Sequence, residues 1–298
     1  MKTRSLLIAS TAVAALCTLS QSALAETTLE KIKASGAIVV GHRESSVPFS
    51  YLDADQKPIG YMMDICAEIV DAVKGELKLP SLQVKYQPVT SQNRIPLMQN
   101  GTIDLECGST TNSVARQQQV AFSVTPFITS VRMAVRKDSG VKDLGDLDGK
   151  PVATTTGTTS DGLIKKNERG KSIDVRNLYG KDHADSFLMV ASGRAAAFVM
   201  DDILLAGLIA SSKNPADFAI VGPSLRDEPY GVMLRKDDPS FKALVDKAVT
   251  AIMASGEVEK LYNKWFMSPI PPRNVNLNFP MSAALKEAIA HPTDKGVE

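Results

Sequence analysis

The chain has 298 residues, 44% of them hydrophobic, material for about two domains at roughly 150 residues each; that excludes a mini-protein and a disordered tail. Lys and Arg number 34 against 33 Asp and Glu, a formal net charge of +1, so no global field draws the chain to nucleic acid or to an anionic membrane. Aromatics make up only 5%, a poor supply of stacking platforms for single strands, and any charge-dependent function must rest on where the charges sit.

Met1 to Ala25 opens on Lys2 and Arg4, continues with an apolar stretch from Leu6 to Leu16, and exits through Ala23, Leu24 and Ala25. These are the three parts of a secretory signal peptide, with cleavage expected after Ala25. The apolar stretch falls short of the roughly 20 residues of a membrane span. A lipoprotein reading would acylate Cys17, but bulky Leu16 stands where such sites want Gly or Ala. Removing two basic residues and no acidic ones turns the net charge to −1, and the mature chain is expected to be soluble and exported. Its two cysteines, Cys66 and Cys107, fit one disulfide in an oxidising compartment or two buried thiols equally well.

In chain order, a β-type run at Ala37 to Gly41 precedes a helical stripe of Met62, Ile65, Cys66, Ile69 and Val73. A strand follows at Leu82 to Tyr86. Thr90 or Ser91 is expected to cap a helix ending before Gly101, and Ile103 to Glu106 reads as the next strand. Further strands are expected at Val131 to Arg136, Pro151 to Thr155, Ile173 to Leu178, Ala196 to Met200 and Phe218 to Val221, with helices opened by Thr158 to Asp161 and over Ala184 to Ser192. This alternation is the rhythm of an α/β fold with a mostly parallel sheet. Phe241, Leu244, Val245, Ala248 and Ile252 mark another helix, and a last one spans Glu257 to Phe266 until Pro269, Pro271 and Pro272 start an extended tail.

The usual catalytic signatures fail. Gly145 and Gly149 are one residue too close for a phosphate loop and Pro151 replaces its Ser or Thr; the segment reads as a turn. Three histidines without metal-ligand spacing make a zinc site improbable, and no Gly-x-Ser-x-Gly elbow occurs. What remains is a set of polar clusters at predicted strand ends and helix starts, where open α/β sheets bind ligands. They are His42 to Ser46, Ser91 to Arg94, Gly108 to Asn112 with Arg116, Thr156 to Ser160, Asp182 with His183, and Asp201 with Asp202.

At these residues the chain resembles the periplasmic amino-acid-binding proteins of ABC importers, the family 3 solute-binding proteins. The runs GHRESSVPFSY from Gly41, TSQNRIPLMQNGTIDLECGSTTN from Thr90, GTTS from Gly157, KDHADSF from Lys181 and MDD from Met200 are most similar to its glutamate/aspartate-binding branch. The resemblance covers nearly all of the mature chain. It implies a type II fold, an α/β architecture of two lobes with mixed sheets flanked by helices, joined by two crossing strands near Thr125 to Arg132 and Asp227 to Leu234. Lobe one would comprise 26–128 and 231–298, and lobe two 129–230.

A free amino acid presents a carboxylate and an ammonium, so its site needs a forked cation, oriented donors and an acid. At the matching positions the resemblance assigns the fork to Arg116, donors and a helix dipole to Thr159, and the ammonium to Asp201 with hydroxyls of Ser109 and Thr111. Arg43 and Arg94 would supply positive charge for a second carboxylate, with Ser91 and His183 as further donors. Three arginines against one aspartate favour a dicarboxylic amino acid, L-glutamate or L-aspartate. Each residue also has an ordinary reading: a surface salt bridge for the arginines, a helix cap for Thr159, a bond to a neighbouring backbone group for His183. Asp202 is left out as a solvated or capping acid, and Trp265 and Phe266 are read as packing residues.

The expected protein is therefore a monomeric solute-binding protein with no cofactor and no nucleic-acid partner, delivering ligand to the membrane permease of an ABC importer. A periplasmic sensor partner needs the same closed shape and is not separated from it by sequence. The remaining rival is a cleft enzyme of the same fold, a cyclohexadienyl-type dehydratase, in which Glu44 would be the general acid.

Overall fold

The computed structural model describes residues 26–171 and 173–298. The expected signal segment, with Cys17, lies outside the described residues.

The alternating pattern builds two mixed sheets. The first runs in the order Gln83–Pro88, Ala37–His42, Leu105–Glu106, Met233–Leu234, Ala121–Phe122. Its first three strands are parallel, whereas Met233–Leu234 is antiparallel to both neighbours. The second runs Arg176–Gly180, Pro151–Thr155, Ala197–Asp201, Phe127–Arg136, Phe218–Val221, parallel through its first three strands and antiparallel thereafter.

Two segments pass between the sheets. Phe127–Arg136 leaves the first sheet after Ala121–Phe122, and its opening residues pair antiparallel with Asp227–Tyr230, Tyr230 facing Phe127 and Asp227 facing Ser130. The chain then returns to the first sheet at Met233. An aromatic group sits at this junction: the Phe127 ring lies 4.7 Å from Phe49, 6.0 Å from Tyr230 and 5.0 Å from Phe266 between centroids. Such rings bury large apolar area and prefer edge or offset contacts, which ties the crossing strands to the helix Glu257–Phe266.

The helical stripe is realised in Tyr61–Leu77, which buries Met62, Ile65, Cys66, Ile69 and Val73 together. From it Cys66 forms a disulfide with Cys107, just past strand Leu105–Glu106, so of the two readings of these cysteines the bonded one holds. In Phe127–Arg136 the alternation sends Val131, Met133 and Val135 to one face, against Val152, Leu163 and Ile164.

Two local expectations are overturned. The helix after Thr90 begins only at Arg94 and lacks a side-chain cap. Thr90 instead exchanges bonds with Asn93, while Ser91 Oγ is taken by an arginine. The tail after Pro269 is not simply extended: Pro269–Ile270 pairs with Val275–Asn276, and Ser282 caps a helix over Ala283–Ala290. That helix buries only Leu285 and Ala288, two positions that make no detectable periodicity. The segment at Gly145 is a short 3-10 turn capped by Asp143 before strand Pro151–Thr155, as expected.

Candidate functional site

The polar clusters at the strand ends of both sheets converge. Arg43 follows strand Ala37–His42, its backbone N–H donating to Ser50 Oγ at 2.8 Å. Its Nη2 donates to Ser91 Oγ at 2.9 Å. Arg94, at the start of helix Arg94–Gln99, donates from Nη1 to Thr110 Oγ1 at 2.6 Å, and the Thr110 hydroxyl donates to Glu106 Oε2 at 2.6 Å. Arg116 lies on the short helix Val114–Gln117, whose cap is Ser113; it donates to the Thr111 carbonyl at 2.9 Å and, across to the second sheet's side, to the Gly157 carbonyl at 3.1 Å.

On that side, Thr159 is the first residue of helix Thr159–Lys171. Its hydroxyl is 3.5 Å from Thr111 Oγ1 and donates to Glu228 Oε2 at 3.1 Å. His183 opens helix His183–Ala191, which Asp182 caps, and its Nδ1 sits 3.0 Å from Thr155 Oγ1. Asp201 ends strand Ala197–Asp201, and its Oδ2 accepts from the Tyr230 hydroxyl. Glu228 also receives Arg226 Nη2 at 2.6 Å.

The two sides meet closely. Gly157 has φ +83°, and a Cβ there would lie 2.7 Å from Gln92 Cα and from the Ser91 carbonyl oxygen. Only a residue without a side chain allows this approach. Arg43 is 2% exposed, Arg94 1% and His183 1%, so the ordinary reading of these arginines as surface ion pairs fails.

Burial dominates the electrostatics, because removing charge from water disfavours the charged form. It lowers Arg43 to about 10, with the charge of Arg94 adding and Glu106 opposing. Arg116 is lowered to about 9 by burial and by Arg94, against the pull of Glu228 and Glu106. Burial, followed by Arg43 and Arg94, holds His183 well below the usual imidazole range, leaving it neutral at pH 7. Asp201 is raised to about 8 by burial and then by Glu228, while the Tyr230 hydroxyl opposes.

All nine expected residues, Arg43, Ser91, Arg94, Ser109, Thr111, Arg116, Thr159, His183 and Asp201, are buried or partly buried in this one region. Five of their buried polar atoms have no protein partner: Arg43 Nη1, Arg94 Nε, Ser109 Oγ, His183 Nε2 and Asp201 Oδ1. Native interiors leave few such groups unpaired, so this cluster has the donors and the acceptor of a site for a small zwitterion. Asp202 stays out of it, its Oδ1 accepting from Thr129 Oγ1 at 2.6 Å and from Ile203 N at 2.7 Å.

Sequence reasoning missed Glu106, Glu228 and Tyr230, all 0% exposed, together with Arg226. Around the three expected arginines and Asp201 the structure thus adds Arg226, Glu106 and Glu228. Glu106 sits inside the long run from Thr90 and the others beside an expected crossing strand, but no local pattern tells a charge supporting a site from one facing water.

A model of the bacterial extracellular solute-binding proteins, family 3, matches residues 38–268. The chain is 54% identical over 272 residues to the L-glutamate/L-aspartate-binding protein of Pseudomonas aeruginosa, covering 91% of this chain and 90% of that one. It is 52% identical over 273 residues to the glutamate/aspartate import solute-binding protein of Escherichia coli K12, covering 92% and 90%. Among solved structures it resembles a mutant of ArgBP from T. maritima, with TM-score 0.71 and 27% identity over 80% of this chain and 98% of that one. It also resembles the ancestral amino acid-binding protein AncCDT-1, a precursor of cyclohexadienyl dehydratase, with TM-score 0.68 and 26% identity over 80% and 99%.

Proposed function

The chain belongs to the bacterial extracellular solute-binding proteins of family 3, and from that premise we propose that it encloses L-glutamate or L-aspartate between two lobes and delivers it to an ABC importer. It is a periplasmic binding protein with a membrane permease as partner, and not an enzyme. The lobes are read as 26–128 with 231–298, and 129–230. The protein is read as a monomer with no nucleic-acid partner.

The observation that carries this reading is the set of unpartnered donors on Arg43, Arg94, Ser109 and His183 opposite the unpartnered Asp201 Oδ1. Arg116, Thr111 and Thr159 take the α-carboxylate, and Asp201 with Ser109 takes the ammonium. Arg43, Arg94, Ser91 and neutral His183 take the side-chain carboxylate. Charge-assisted hydrogen bonds contribute roughly 1.5 to 3 kcal/mol each, so a few of them offset association costs and leave about −8 kcal/mol, a micromolar affinity. Ligand bonded to both sides stabilises the closed form, the shape a permease can distinguish from the open one. The dehydratase reading loses its candidate acid, since Glu44 is exposed.

Isothermal titration calorimetry against an amino-acid panel tests this. L-glutamate or L-aspartate is expected to bind most tightly, and Arg43→Ala to weaken both acids far more than their amides. Tight glutamine or arginine binding with both acids silent would overturn the reading; equal losses would remove Arg43 from the side-chain pocket.

A further inference from the structure

Glu106 has no role in the ligand scheme above, yet it is fully buried among the groups that serve it. Its Oε2 accepts from the Thr110 hydroxyl, which in turn accepts from Arg94 Nη1. A Cβ at Gly108 would overlap Glu106 Oε1 and lie 2.9 Å from Arg43 Cγ, so the carboxylate and the Arg43 side chain flank the same glycine. Glu106 Oε1 has no hydrogen-bond partner. A buried carboxylate is costly unless it serves nearby charge, and the charge of Glu106 acts on Arg43, Arg94 and Arg116 alike.

Resting on the reading that the ligand is an acidic amino acid, we propose that Glu106 is a specificity-determining residue that sets the net charge of the closed site without touching the ligand. Arg43, Arg94, Arg116 and Arg226 supply four positive charges. Glu106, Glu228 and Asp201, the last held ionised by the ligand ammonium, supply three negative ones, and His183 is neutral. Over these groups the sum is +1, which a ligand with two carboxylates and one ammonium cancels; Asp182, held as a helix cap, and Asp202, held by Thr129, act on Arg43 and Asp201 from outside this set. A neutral amino acid leaves that charge buried and uncompensated, and Glu106 keeps the excess from being larger. Thr110 couples this charge to Arg94, and Gly108 makes room for it beside Arg43.

Calorimetry of the full mature protein and its variants with L-glutamate and L-glutamine tests this. In Glu106→Gln the site would gain one unit of positive charge, so the preference for glutamate over glutamine is expected to rise about tenfold, the effect of one unit charge at roughly 10 Å in an effective dielectric of about 20. Glu106→Asp keeps the charge and is expected to keep the wild-type ratio. A residue that merely held Arg43 and Arg94 in place would act in the opposite direction, costing glutamate more than glutamine; a fallen or unchanged ratio in Glu106→Gln would overturn the proposal. Should that variant fail to fold, Thr110→Val removes the hydroxyl and leaves every charge, so both ligands are expected to weaken with their ratio preserved. A shifted ratio there would assign selectivity to the hydroxyl instead. If the wild type bound glutamine and not glutamate, the acidic-ligand reading itself would fall; if it bound glutamate and Glu106→Gln kept the ratio, only this inference would.

Discussion

Arg116 Nη2 lies 3.1 Å from the carbonyl oxygen of Gly157. One guanidinium thus joins the helix Val114–Gln117 to the turn that opens helix Thr159–Lys171, while its Nη1 holds the Thr111 carbonyl. The planar fork lets Arg bond in two directions at once, which a Lys ammonium on a flexible stem does less well. The contact between the two sides is therefore built around this arginine, and the turn at Gly157 is as much part of it as the guanidinium.

Gly157→Ala is expected to weaken ligand by about tenfold or more. A left-handed φ costs an L-residue roughly 1 to 2 kcal/mol, and the added Cβ would meet Gln92 Cα and the Ser91 carbonyl at 2.7 Å. The clash, unlike the backbone cost, arises only where the two sides meet. Small-angle scattering checks the mechanism: saturating glutamate should compact the wild type more than the variant at equal concentration. Unaltered affinity would mean that closure does not require this approach.

Stability should depend on pH through Asp201. Its pKa is raised to about 8 in the folded site from an ordinary 3.8, so between these values the folded state holds more protons than the unfolded one, and stability falls as pH rises. His183, whose pKa is lowered, works the other way below its ordinary 6.5, so the clean window is pH 6.5 to 8. There the unliganded protein is expected to lose about 1 to 2 kcal/mol, read as a falling Tm. Saturating glutamate, whose ammonium keeps Asp201 ionised, should flatten the slope, and Asp201→Asn should remove it. A flat unliganded profile would place Asp201 in water.

Replacing both Cys66 and Cys107 by Ala should destabilise the protein while sparing the site. The bond closes a loop of 41 residues in sequence separation, worth about 4 kcal/mol on the loop-entropy scale. Both cysteines lie in the hydrophobic core, and neither contributes a hydrogen bond to the ligand cluster. Denaturant unfolding should show the loss, and calorimetry should show glutamate affinity within about threefold of wild type, a difference under 1 kcal/mol. A much larger affinity loss would tie the bond to the position of Gly108 and Ser109.

The amino-acid sequence by itself determined the elements whose signal is repeated along the chain. Tyr61–Leu77 and Glu257–Phe266 follow from apolar residues recurring on one helical face, and Phe218–Val221 from a short β-type run. It also determined which polar clusters stand at element ends, where the resemblance placed the nine candidate residues. Only the tertiary structure decided that Cys66 and Cys107 bond, that Ala283–Ala290 is helical, and that Glu106, Glu228 and Tyr230 join the arginines. The reason is range: periodicity is written within a few residues of itself, whereas the charge balance of the site sums over Arg43 and Glu228, 185 positions apart in the numbering. Whether a carboxylate meets an arginine or water depends on which distant strand lies beside it, and that is set by packing and closure.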